Sequence, residues 1–132
     1  MRVCILLALL LLLLIVLVQT FRDGPVSYHR LLGAVAAYLL LGVIWAEAYS
    51  LLEILRPGSF SGSINVADGP RAWFYFSFIT LTTAGYGDIL PIHPAARSLA
   101  ALEAVTGPLY LAVLLARLVA LAVSSDRGHA PR

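Results

Sequence analysis

The sequence predicts an all-α membrane protein: three apolar helices, and between the second and third a shorter half-helix that enters the bilayer from one face and turns back. Three observations carry that expectation. The 132 residues are 61% hydrophobic and 12% charged, so they lack the polar surface that a soluble domain of this size needs, and the bilayer is their natural solvent. The apolar residues fall in long runs. The stretch "TLTTAGYGDILP", Thr80 to Pro91, interrupts those runs with threonines, two glycines one residue apart, a tyrosine and an aspartate.

Residues 1–21 form the first element, a hydrophobic helix. Val3 to Val18 is sixteen apolar residues without a break, extendable toward Phe21, just short of the roughly 20 that cross a hydrocarbon core. Arg2 followed by this run imitates a secretory signal, but no small-x-small cleavage site precedes Arg22, so a retained helix is expected. Cys4 is the only cysteine. That excludes an intrachain disulfide or a multi-cysteine metal site and leaves a small apolar residue.

Residues 22–30 make a short polar linker, and the second helix runs over 31–55 until "RPGS" stops it. Its length gives about 37 Å of rise, enough to cross with a tilt. Gly33, Ala37, Gly42 and Ala46 put small side chains along it, which allow close helix packing where apolar burial gives no driving force.

Residues 56–69 are turn-rich and polar and read as an exposed loop. Asp68 is placed to cap the next helix and Pro70 to open it, since proline lacks only a donor that would be unpaired there. Residues 70–82 then give about twelve helical residues, or about 18 Å, too short to span. The segment is aromatic and β-branched, but an open strand edge has no partners in lipid, so a re-entrant half-helix is the remaining solution. Backbone returning from mid-membrane must line protein or a wet cavity. Gly85 and Gly87 tolerate the positive φ that turns successive carbonyls to one side. The last helix covers 95–123, and 124–132 are a polar tail without room for a soluble ligand domain.

"SFITLTTAGYGDILP", Ser77 to Pro91, closely resembles the signature of tetrameric potassium channels, in particular the bacterial two-helix-pore type. The resemblance names the elements: outer helix, re-entrant pore helix with selectivity-filter loop, and inner helix, with the N-terminal transmembrane helix additional. It implies a homotetramer in the cell membrane, a bacterial inner membrane, and K+ as the permeant ion, held by the Thr83 hydroxyl and the carbonyls of Thr83, Ala84, Gly85 and Tyr86, with Gly87 completing the filter. Thr82 would close the pore helix and Asp88 brace the outer mouth. Gly107, twenty residues beyond Gly87, falls where the family often carries a hinge glycine facing the cavity, and Pro108 follows it; proline inside a helix favours a bend.

Two departures from the family pattern stand out. Ala84 replaces the usual Val or Ile, and the aromatic pair beside the filter is Tyr75 and Phe76. Phe76 has no donor, so support for Tyr86 or Asp88 falls to Tyr75, Trp73 or packing.

Glu47 and Glu103 are costly inside membrane helices, and such residues face protein or water; their partners are not legible in one sequence. Arg117, about 15 Å past Gly107, fits an inner-interface anchor. With the Asp88 end facing outward, as in the family, Arg22, His29, Arg30, Arg127 and Arg132 lie inside and Arg56, Arg71 and Arg97 outside. The positive-inside count is then nearly balanced, and Arg2 falls outside if the first helix spans.

Nine scattered arginines, no lysine and a net charge of +2 give no nucleic-acid footprint. The three histidines lie in separate polar segments with no nucleophile and base beside them, so no enzyme is expected. The first helix has no arginine ladder to carry gating charge. Closure, where it occurs, is expected through the inner helix at Gly107 and Pro108 or through the filter. A cation channel that passes sodium as well as potassium, permitted by Ala84, and a non-conducting assembly subunit are the alternatives.

Overall fold

The computed structural model describes residues 2–21, 28–62 and 69–127. In chain order these form α1 (Arg2–Phe21), α2 (Tyr28–Leu55), β1 (Phe60–Gly62), α3 (Pro70–Leu81), β2 (Ile89–Pro91) and α4 (Pro94–Arg127). Three helices hold spans long and apolar enough to cross a membrane: Arg2–Thr20, Arg30–Leu55 and Pro94–Ala120. The chain is a multi-pass membrane protein, and α3, at 12 residues, is the half-helix between its second and third spans.

The small residues of α2 divide between two neighbours. A methyl group added at Gly33 would stand 2.8 Å from the Thr20 hydroxyl of α1, and one at Gly42 would stand 2.7 Å from the Phe78 ring of α3. Ala34, Ala37 and Ala46 are buried on the same helix. Close approach, rather than large interlocking side chains, seats α2 against both partners.

α1 lies antiparallel to α2. At one end Thr20 meets Gly33; at the other Arg2 is 3.5 Å from the Glu47 carboxylate and donates a second hydrogen bond to Ser50 Oγ. Glu47 thus has its partner, and the arginine that strained the charge count is spent on an acidic side chain within a membrane helix, where an unpaired charge is costly.

The stretch after α2 is exposed at 56–58, as its composition suggests, but residues 59–62 fold back against the helices. Ser59 and Phe60 are buried, and β1 pairs antiparallel with β2 in the register Phe60↔Pro91, Ser61↔Leu90, Gly62↔Ile89. The Ser59 carbonyl accepts from the amides of Ile92 and His93 at 2.9 and 3.1 Å. Glu53 closes the end of α2 by accepting from the amides of Gly58 and Ser59 at 2.7 and 3.0 Å. The strand pair, with α3 between its strands in the chain, buries Phe60 in an aromatic cluster: edge-to-face contacts join it to Trp73 at 5.0 Å, Phe76 at 5.5 Å and Tyr49 at 5.6 Å, and Tyr49 to Phe76 at 4.9 Å. Such contacts add about 0.5–1.5 kcal/mol each to the area they bury.

Pro70 opens α3, but the N-cap position belongs to Gly69, at φ 47°, with no side-chain capping bond. Asp68, the cap expected from the sequence, lies outside the described residues, as do residues 22–27 and 128–132. α4 continues through Pro108 to Arg127 as one helix of 34 residues.

Candidate functional site

The site grows from the C-terminal end of α3. Thr82 occupies the C-cap, its amide bonded to the Phe78 carbonyl and its hydroxyl donating to the same oxygen at 2.6 Å. The Thr83 amide bonds Thr80 O at 2.9 Å and the Gly85 amide reaches back to Ile79 O at 3.1 Å. The last carbonyls of the helix therefore hold the first residues of the following loop, so the loop inherits the aim of α3.

Handedness then alternates. Thr83, Gly85 and Gly87 take φ of 58°, 54° and 79°, while Ala84 and Tyr86 between them do not enter the positive region. Positive φ at alternate positions lets successive peptide groups turn to a common side, which residues with side chains rarely manage. At Gly85 and Gly87 that conformation is free of cost. Thr83 has a Cβ and carries strain of about 1–2 kcal/mol. Residues 82–88 are all exposed within the single chain, and Tyr86 is 74% exposed. A polar loop at membrane depth is tolerated only where it meets protein or lines a water-filled cavity.

The neighbouring aromatic residues separate by function. Tyr75 is exposed and faces Asp88, whose hydrogen bond and charge hold the phenol above its ordinary value. Asp88 Oδ1 also accepts from the Ile89 amide at 3.1 Å. Phe76 and Trp73 point the other way, into the cluster around Phe60. Of the side chains expected to support the loop, the structure brings Tyr75 and Asp88 together and packs Trp73 against Phe60 of β1, the strand that pairs with β2 where the loop ends.

Gly107 is buried on α4, where an added Cβ would lie 2.0 Å from the Leu81 carbonyl oxygen. The glycine is the seat on which the C-terminal end of α3 rests, a packing duty that its sequence position alone does not reveal. Pro108 beside it is exposed. One turn earlier on α4, Glu103 is fully buried, accepts from the Tyr49 hydroxyl and meets Ser77 of α3 at 2.5 Å. Below Pro108, the Tyr110 hydroxyl donates to Ala34 O of α2 at 2.7 Å. Sequence reasoning marked Glu103 as costly but gave no reason to single out Ser77, Tyr49 or Tyr110.

Two spanning helices around a half-helix, with a loop of alternating handedness at its tip, define a membrane pore module rather than an enzyme site. The chain belongs to the ion channel family, which matches residues 34–124. Among relatives, it is 40% identical over 80 residues to the inward rectifier potassium channel Kirbac3.1 of Paramagnetospirillum magnetotacticum, covering 58% of this chain and 24% of that one. It is 35% identical over 85 residues to potassium voltage-gated channel subfamily A member 10 of Mus musculus, covering 64% and 16%. Against the two pore potassium channel c of Oryza sativa subsp. japonica it is 39% identical over 61 residues, covering 46% and 12%. The chain thus spans a quarter or less of the length of these relatives. No solved structure matches it.

Proposed function

We propose that this chain is the pore-forming subunit of a potassium-selective channel, conducting K+ down its electrochemical gradient through a pore closed by four copies. The observation that carries the reading is the positive φ at Thr83, Gly85 and Gly87, the backbone conformation that a column of carbonyls along one side of this exposed loop would require. Four such columns around an axis would replace the hydration shell of a dehydrated cation, with the Thr83 hydroxyl below them. The C-terminal end of α3, partially negative, favours a cation in front of it. Asp88, held by Tyr75, would stand at the outer mouth. Ala84 donates its carbonyl to the column as Val would, so the shorter side chain leaves the coordinating atoms in place. The three named relatives are potassium channels.

In this assembly Gly107 and Pro108 serve as the point about which the lower part of α4 moves, since proline removes one rung of the helix ladder. The seat of Gly107 on Leu81 would couple that movement to the filter. α1 lies at the periphery, against lipid.

Flux in liposomes holding verified tetramers tests the reading. Potassium-driven flux that barium blocks and that sodium substitution suppresses is expected. Equal sodium and potassium flux would assign a non-selective channel, and no flux from verified tetramers would assign a non-conducting subunit.

A further inference from the structure

Behind the loop, a polar cluster with no part in coordination ties three helices together. Tyr49 of α2, Ser77 of α3 and Glu103 of α4 are each at 0% exposure. Tyr49 donates to Glu103 Oε2. Ser77 Oγ lies 2.5 Å from Glu103 Oε1 and 2.8 Å from the Gly42 carbonyl oxygen of α2. The groups bonded to the Glu103 carboxyl are therefore neutral hydroxyls, at a depth where a bare carboxylate is expensive.

Counting protons sharpens the point. A serine hydroxyl has one proton, yet Ser77 Oγ stands within bonding distance of two oxygens. With Glu103 ionised, both would be pure acceptors, and one close O···O contact in a dry site would hold no proton. With Glu103 as a carboxylic acid the conflict disappears: Oε1–H donates to Ser77 Oγ, Ser77 donates to Gly42 O, and Tyr49 donates to Oε2. Each polar atom then has a partner, as buried groups require.

The placement is as telling as the chemistry. Glu103 meets Ser77, and four residues on, Gly107 meets Leu81. Four residues is one helical turn on each helix, so one face of α4 holds α3 at two successive turns, the second at the end from which the loop springs.

Resting on the channel reading above, we propose that Glu103 is a positioning residue of the filter, kept as a neutral carboxylic acid, whose hydrogen bonds to Ser77 and Tyr49 set the depth and rotation of the pore helix. Glutamine can replace such an acid, because its amide donates to Ser77 and its carbonyl accepts from Tyr49. Alanine cannot.

The test uses the full chain as tetramers in lipid. The infrared difference between wild type and Glu103→Gln is expected to show a protonated-carboxyl C=O band lost in the variant, and Ser77→Ala is expected to shift that band upward as its acceptor disappears. Glu103→Gln should keep the wild-type potassium-over-sodium ratio, whereas Glu103→Ala or Ser77→Ala should lower it by about tenfold. Where Glu103→Ala yields no tetramer, the Ser77→Ala band shift and permeability ratio decide. A carboxylate band at Glu103, no shift in Ser77→Ala, or a Glu103→Gln channel as unselective as Ser77→Ala would overturn the proposal. If wild type itself shows no potassium preference, the channel reading fails instead, and the two band measurements still judge the state and bonding of Glu103.

Discussion

The loop at the tip of α3 and the helix that carries it are joined end to end, yet they are stabilised in opposite ways. Along α3, Trp73, Phe76, Ser77, Ile79 and Leu81 are buried, held by the aromatic cluster, by Glu103 and by the Gly107 seat. From Thr82 to Asp88 every residue is exposed, and Thr83 is strained. The first region is complete within one chain. In the proposed tetramer the second would be completed by its neighbours, while its conformation is held by the end of α3 behind it. Rigid support and an unfinished surface fit a pore assembled from identical subunits, since the coordinating atoms must be precise and also shared.

That contrast can be broken at either end. The largest effect belongs in the loop: Gly85→Ala forces a Cβ into φ 54° and is expected to lower potassium flux by at least about tenfold at unchanged tetramer yield, measured in liposomes. Flux equal to wild type would remove the filter assignment. Next comes the support. Gly107→Val pushes a side chain against the Leu81 carbonyl, 2.0 Å from the ideal Cβ position. It is expected to cost about 1–3 kcal/mol or more through overpacking, read as a lower melting temperature of the tetramer together with lost conduction.

Smaller effects sharpen the comparison. Tyr75→Phe removes the hydroxyl that faces Asp88 and leaves the buried cluster untouched. Because Tyr75 is exposed, the loss is expected as a modest change in single-channel conductance without a change in tetramer stability. The smallest change is expected at the periphery. A double-mutant cycle with Arg2→Gln and Glu47→Gln should give a stabilising coupling between the two side chains, measured as thermal stability, with the permeability ratio unmoved.

How much of this was legible in the sequence follows from where each constraint resides. Gly85 and Gly87 reveal a backbone requirement through residue identity, so the loop could be read directly. Helix lengths followed from apolar runs. Tyr49, Ser77 and Glu103 could not be grouped, because the partners are 54 and 26 positions apart: Glu103 stands out by its charge, but Tyr49 and Ser77 are ordinary in their helices. The strand pair escaped for a different reason: "FSG" and "ILP" are three residues each, separated in the chain by α3, one ending in glycine and the other in proline, which sequence patterns assign to turns. Gly107 was recognised as special, but its neighbour, a backbone carbonyl, has no sequence signature. Glu47 found its partner 45 positions away, on a helix outside the residues that the family matches.

The most direct test of the central claim is the reversal potential of tetramers in a planar bilayer with potassium on one side and sodium on the other. A potassium preference of tenfold or more, about 1.4 kcal/mol, is expected from a carbonyl column that survives Ala84. A reversal potential near zero, with both ions passing equally, would contradict it.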